Sequence, residues 1–426
     1  MHLQILVRWL LLLFFFLFAH SLATASAATD LIAYIDGDGD LYLIQPDGEG
    51  KRKLASGEML QSISFSPHAI QAGRDFYSWP VWSPDASRLA CFRFQVTPEG
   101  PTDGLYIFDT KSSQVLHSYQ EPGLRPIYAY WAPNSRSLAV LLGGQGPLAL
   151  GLWPVNGAQR PKTLAHGAPF FFHWRTDGRA LLAHSGSDEE VREGHAVSVI
   201  SVETGERQFV SRTPAAFGPA SWSGDGHWLA YGNQAKEQEK SELMIAMADA
   251  SAPKSFGTFP AKLALSWSPT QPILAVATST LLGDPLLEEL KLIDVPSGKA
   301  RTVVKDSFAA YFWSPDGERI LYAKRKLGTD LWAWAVVNIS DGKTYEVVDF
   351  VPSRPLLLVF QYFDQYALSH RLWAPDSKHF VFAGAAGADS RPAEGLGNPT
   401  LYTVEASKHA KPKSLTAGIV GFWSPQ

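Results

Sequence analysis

The sequence predicts an all-β repeat fold, and three observations lead there. A tryptophan followed by a tight-turn sequence recurs eight times, at Trp82, Trp131, Trp174, Trp222, Trp267, Trp313, Trp373 and Trp423. The copies join short aromatic or β-branched runs, such as Tyr77 to Trp82, to alternating runs such as Arg88 to Phe94 and Arg319 to Ala323. That is strand, turn, strand. A second hairpin follows, with third strands at Gly104 to Phe108, Ala196 to Ile200, Glu289 to Ile293 and Thr400 to Val404. Its turn signals stand at Asn156-Gly157, Thr204-Gly205, Ser297-Gly298 and Asp341-Gly342. Four antiparallel strands in each period of roughly 45 residues are the signature of a propeller blade. The expectation is an eight-bladed β-propeller of four-stranded antiparallel blades. A β-sandwich gives no reason for one Trp-turn unit to repeat in this way.

The elements follow in chain order. His2 to Arg8 is a short basic start, Leu10 to Phe18 holds no polar residue, and Ala23-Thr-Ala-Ser-Ala27 offers small side chains to a signal peptidase. Residues 1–27 therefore read as a secretory signal cut near Ala27, its apolar run short for a membrane span. The expected location is secreted or periplasmic, with an uncleaved N-terminal anchor as the alternative. Residues 28–426 read as a single propeller domain with no membrane span. Leu31 to Ile35, Asp40 to Ile44 and Lys51 to Leu54 match strands two, three and four of a blade whose first strand is missing. Gly421 to Pro425 is a first strand with nothing after it. Joining the two gives a closing blade from Trp423 plus residues 30–56, and closure removes exposed sheet edges. The other blades start near Trp82, Trp131, Trp174, Trp222, Trp267, Trp313 and Trp373. Phe65-Ser-Pro-His68 resembles the motif but lies too close to Trp82 for a blade of its own.

Composition narrows the function classes. The chain has 426 residues, 37 Lys+Arg against 41 Asp+Glu, and a net charge of −4, which leaves no electrostatic footprint for nucleic acid. Apolar residues make up 46%, enough for a core. The one cysteine, Cys91, excludes an internal disulfide and reads as a small buried hydrophobe.

Trp313-Ser-Pro-Asp-Gly317 with Arg319-Ile-Leu-Tyr322, and Asp40-Leu-Tyr-Leu-Ile44 with Asp47-Gly48, resemble the WD40-like propeller repeat of the TolB type. The resemblance covers nearly all of residues 30–426 and implies the fold. It is also similar to the propeller that precedes the hydrolase in prolyl oligopeptidase and dipeptidyl peptidase-class proteins. No Gly-x-Ser-x-Gly nucleophile motif occurs here.

Strand order assigns loops to two ends of the ring. The Trp-turns lie at the lower end. Connections from strand two to three, and from strand four to the next blade, lie at the upper end, where long loops usually bind. These include Gln95 to Asp103, Ser185 to Gly194, Asn233 to Ser241, Ser279 to Leu287 and Gly384 to Pro399, with longer interblade links at Gly57 to Phe76 and Val351 to His370. The last link carries Tyr362, Asp364, Tyr366 and His370, with Arg371 beyond it. With Arg74, Asp75, Tyr77, Arg125, Tyr128, His173 and Tyr311, which precede other first strands, these form the expected ligand or partner surface around an axial funnel. The competing reading packs the aromatics between blades.

Metal and cofactor readings are weak. Asp36-Gly-Asp-Gly-Asp40 lacks the glycine and glutamate of a calcium loop and fits a hairpin turn. His184, Asp188, Glu189, Glu190, Glu193 and His195 read as an exposed charged loop, and Asp341-Gly-Lys-Thr344 lacks the first glycine of a phosphate loop. No catalytic residue, metal or cofactor is assigned. The expected function is an exported, non-catalytic propeller binding a protein or extended ligand through its upper loops and funnel. One alternative is a hydrolase or lyase acting on polysaccharide or peptide from the funnel. Another is a subunit of a larger assembly that makes its contact through residues 351–360.

Overall fold

The computed structural model describes residues 30–57, 75–97, 100–144, 146–155, 160–186, 195–215, 218–237, 240–260, 262–280, 286–387 and 399–425. The signal, Arg74, the Phe65 motif, Asn156-Gly157 and the acids of the 188–193 loop lie outside them. The described chain is all-β, built from antiparallel sheets plus two short helices.

The two ends of the chain share a sheet. Arg52–Ala55, Leu41–Ile44, Ile32–Ile35 and Val420–Trp423 pair in that order, with Ile32 opposite Trp423 and Ile35 opposite Val420. Asp75–Trp82, Arg88–Thr97, Gly104–Asp109 and Val115–Gln120 form the next sheet. Three more four-stranded sheets begin at Arg125–Trp131, Phe170–Trp174 and Ser221–Trp222. The following stretch is one continuous ten-stranded sheet. It is continuous because Lys299–Trp313 pairs on one side with Leu287–Asp294 and, by its second half, with Arg319–Arg325. Thr344–Pro352 likewise reaches His379–Ala386 through Phe350, Val351 and Pro352.

The repeat motif explains itself locally. Ser83 Oγ donates to Asp85 Oδ1 (2.6 Å) and accepts from Arg88 N (3.0 Å), while Ser83 N donates to Arg88 O (2.9 Å). The same bonds recur at Ser223 and Ser314. Proline presets the turn, Asp bonds back to the backbone, and the fifth position is left-handed. Gly317 has φ 72° there, and a Cβ on it would lie 2.3 Å from Thr270 Oγ1. Asp36 Oδ1 accepts from Asp38 N and Asp40 N at 3.0 Å, so that acidic run is the expected hairpin turn.

The tryptophans tie repeat to repeat. Trp131 Nε1 donates to Val81 O (3.0 Å), Trp174 to Tyr130 O (2.9 Å) and Trp267 to Ser221 O (3.1 Å). Trp313 donates to Ser266 O (3.3 Å) and Trp373 to Phe312 O (3.0 Å). Trp82 reaches Phe422 O (3.1 Å), in the sheet shared by the chain ends. Each acceptor immediately precedes the preceding repeat's tryptophan. Trp222 departs: its indole bonds Ala248 O (3.0 Å), and its backbone N–H donates instead to His173 Nδ1 (3.1 Å). Trp423 binds through its backbone N–H to Arg371 O (2.9 Å).

One segment breaks the pattern and corrects the reading of residues 351–370 as a loop. Helix α1, Arg354–Gln361, and helix α2, Phe363–Ser369, occupy it. Ser353 caps α1 by accepting from Leu356 N, and Pro355 stands in its first turn, where a missing N–H costs nothing. Leu356, Val359, Phe360, Phe363 and Tyr366 are buried at helical spacing. The sheet beyond has lost most of its inner strand, of which a bridge between Trp373 and Phe380 remains.

Candidate functional site

Helix α2 lies where the inner edges of the sheets meet. The Gln365 side-chain amide accepts from Phe172 N (3.0 Å) and donates to Phe172 O (2.8 Å), acting as a short strand against the inner edge of Phe170–Trp174. Tyr128 Oη donates to Gln365 O (2.9 Å) and lies 2.7 Å from Ser369 Oγ, which lies 2.7 Å from His370 Nδ1. The Tyr366 ring is 4.9 Å from that of Trp79, Phe363 is 4.9 Å from Tyr311, and His370 is 4.6 Å from Phe422. Inner strands from five sheets therefore converge on one seven-residue helix.

The expected site residues separate by depth, which can be counted back from the motif tryptophan. At about 3.3 Å per residue, Arg125 lies roughly 20 Å before Trp131 along its strand, whereas His173 is next to Trp174, at the other end of its own. Asp75 and Arg125 sit at the upper end, each already paired: Asp75 with Arg93 Nε (2.7 Å) and Arg125 with Asp103 (2.7 Å). Tyr77 is buried edge-on against Tyr106 and Phe108. In the middle, Tyr128, Tyr311, Tyr366 and His370 are all buried. Tyr311 Oη donates to Ala275 O (3.1 Å). These four hold the helix in place and offer no open surface. Tyr362, between the helices, is exposed.

Burial sets the protonation states. Asp364 is crowded by protein and pushed up to about 7, with Lys262 opposing the shift. Burial pushes His370 down to about 3 and His173 down to about 4, so both are neutral. Because His173 Nδ1 accepts from Trp222 N, its proton is on Nε2. The Tyr130 ring lies parallel to His173, with centroids 6.2 Å apart.

The lower end differs from the rest. Arg371 is exposed and stands between two hollows that share it and Leu368. One is walled by the Trp82, Trp131 and Trp423 turns, the other by those of Trp267 and Trp313. Tyr130, Gln365, Ser369 and Leu368 were not singled out from the sequence. Counting from the nearest Trp places Tyr130 at the lower end, and helical spacing from the Ser353 cap would have found the other three.

His184 and His195 come together, and His184 is buried rather than exposed. Their Nε2 atoms are 2.6 Å apart, and His184 Nδ1 lies 2.5 Å from Gly218 O. The carbonyl can only accept, so His184 carries its proton on Nδ1 and His195 Nε2–H donates to it. Among the described residues no group of three or more His, Cys, Asp or Glu could hold a metal. Cys91 is buried and its thiol is pushed up by burial.

These features define a β-propeller, and comparison with solved structures finds the same class. A prolyl endopeptidase structure matches at TM-score 0.52 and 12% identity, covering 88% of this chain and 55% of that one, so this chain spans about half its length. An oligogalacturonate lyase from Vibrio parahaemolyticus matches at TM-score 0.50 and 15% identity, covering 75% of this chain and 84% of that one. TolB from Acinetobacter baumannii is similar at TM-score 0.39 and 15% identity, over 78% of this chain and 82% of that one. No family model matches the chain, and no curated protein matches it. At these identities the likeness is one of fold. Among the described residues no helix is long and apolar enough to cross a membrane.

Proposed function

We propose that this chain is an exported, non-catalytic eight-bladed propeller, closed by its own two ends, that binds a protein partner at its upper end. The N-terminal signal supports export. The pairing of Ile32–Ile35 with Val420–Trp423, and the succession of tryptophan bonds from Trp82 to Trp423, support eight blades in a closed ring. One observation carries the binding reading. Helix α2 fills the centre with buried side chains, while α1 and its junction turn Leu357 (41% exposed), Leu358 (37%) and Tyr362 (41%) to solvent. Exposed apolar groups clustered on α1 and its junction with α2 suit a protein contact.

Asp364 favours the alternative, an enzyme working from the upper mouth, because a carboxyl raised to about 7 is suited to proton transfer. Among the described residues Lys262 is the charged group that acts on it, and no carboxylate does so to share the work of a glycosidic or peptide cleavage.

The test is a pull-down from envelope or culture material with the chain from residue 28, beside a Leu357→Ser, Leu358→Ser, Tyr362→Ala variant. These residues are exposed, so the variant is expected to fold with an unchanged melting temperature. The expected result is at least a tenfold loss of one captured protein by the variant. Equal recovery of every captured protein by both forms removes this surface from the proposal.

A further inference from the structure

We propose that the lower end of the central space binds a carboxylate, with Arg371 as its partner and the two hollows as seats for the ligand's apolar or ring-bearing body. The site is at the opposite end from α1 and does not rest on the partner-binding reading.

The first support is the state of Arg371. Other arginines near the motif turns are occupied: Arg88 donates to Ser135 O, Arg319 to Ser377 O and Arg175 to Asp177. Arg371 accepts from Trp423 N through its carbonyl, but its guanidinium makes no hydrogen bond or ion pair with any described residue. Its surface is open, yet protein surrounds it closely enough to lower its pKa from the ordinary arginine value while leaving it charged. Open surface with close crowding is the condition of a group lining a deep hollow. A poorly hydrated guanidinium in such a place is a strong partner for an anion.

The second support is the sign of the surroundings. Among the described residues neither hollow is lined by an aspartate or glutamate, and Arg371 is the formal charge they share. His370, on one wall, is neutral because burial pushes it down to about 3. Tyr130 and Ser369 line one hollow beside Arg371 and Ser266 the other, the Ser369 hydroxyl being held between Tyr128 Oη and His370 Nδ1. A cation would meet the charge of Arg371 with no carboxylate among the described lining to offset it. An anion meets a fork of N–H donors.

The third support is shape. The hollows measure about 220 Å³ and 320 Å³ and flank the arginine. Together they lie in the range of small-molecule sites. Their remaining walls are prolines of the repeat turns and edges of the motif tryptophans, which favour flat or apolar groups. One guanidinium supplies one positive charge and a planar pair of donors. That matches a monoanionic carboxylate held by two parallel hydrogen bonds better than a doubly charged phosphate.

The experiment uses the chain from residue 28 and three probes: benzoate, its neutral isostere benzamide, and inorganic phosphate. Binding is read by ligand-observed NMR titration. Benzoate is expected to bind the wild type at least tenfold more tightly than benzamide or phosphate. Arg371→Gln is expected to reduce benzoate binding at least tenfold with little change in melting temperature, because the Arg371 guanidinium has no hydrogen-bond partner among the described residues. Arg371→Lys, keeping charge without the fork, is expected to fall between. Benzoate binding no tighter than benzamide in the wild type overturns the proposal, and that comparison needs no variant. Equal benzoate affinity in wild type and Arg371→Gln also overturns it, and phosphate binding as tightly as benzoate overturns the carboxylate assignment.

Discussion

The sheet that opens with Asp75–Trp82 and the one that follows Trp373 solve the same problem differently. In the first, an eight-residue inner strand pairs with Arg88–Thr97 along its length, interrupted by a bulge between Ser78 and Val81. In the second, the inner edge of His379–Ala386 is covered piecemeal. Ser353 N donates to Ala383 O (3.0 Å), Val381 N to Leu372 O (2.8 Å), and Phe350 to Pro352 pair with its upper end. Between those anchors the chain leaves the sheet and enters the centre as α1 and α2. An unpaired buried N–H or C=O costs about 1–3 kcal/mol, so an inner strand can be dispensed with only where each exposed group finds another partner. The repeat supplies partners from within a few residues. The insertion supplies them across the molecule, as Gln365 does for Phe172.

The difference predicts where the molecule is most easily broken. Phe363→Ala removes a buried ring that sits against Tyr311 and Phe312. Its expected cost is about 3–5 kcal/mol, measured by denaturant unfolding. Leu357→Ala on the exposed face of α1 is expected to cost less than about 1 kcal/mol. Similar costs for the two would mean that α2 is no part of the central packing.

That contrast also explains what could be read in advance. The strand–turn–strand unit was legible because its bonds close within five residues, as Ser83, Asp85 and Arg88 illustrate. The shared sheet of the chain ends was legible because each end carried part of one unit. Tyr128 and Tyr311 were harder. Their positions before Trp131 and Trp313 turn them toward the centre, but whether the centre holds water or a helix depends on a segment far along the chain. The Tyr128–Gln365 bond spans 237 residues. The helix itself had signals, Ser353 with Pro355 and the spacing of Leu356, Val359, Phe360 and Phe363, which the run of aromatics obscured. Arg371 was counted among the expected ligand-facing groups of the upper mouth. Its place two residues before Trp373 puts it at the lower end.

The second way to sharpen the comparison is pH. Asp364 lies at about 7 in the folded chain against 3.8 for the free group, so between those values the folded state keeps a proton that the unfolded state has released. The unfolded state then binds fewer protons, and stability from this group falls as pH rises from about 4 to 7. His370, at about 3, works in the opposite sense, its contribution being lost as pH falls from 6.5 toward 3. Asp364→Asn removes the first slope and leaves the second. The variant is expected to match the wild type near pH 4 and to exceed it by up to about 4 kcal/mol at pH 8. A difference that stays flat across that range would place Asp364 in water rather than among the side chains around α2.

The smallest effect isolates a single repeat bond. Trp82 Nε1 donates to Phe422 O, whereas the indole N–H of Trp423 is buried with no partner among the described residues. Both tryptophans are buried, and Trp→Phe removes similar volume from each. Loss of packing should therefore nearly cancel between the two variants. Trp82→Phe also strands the Phe422 carbonyl, while Trp423→Phe removes a polar group that already lacked a partner. Trp82→Phe is expected to be the more destabilising by about 1 kcal/mol in denaturant unfolding. An equal cost would mean that the tryptophans hold neighbouring sheets together by area alone. The eightfold repetition of an indole, where phenylalanine would fill the space, would then need another cause.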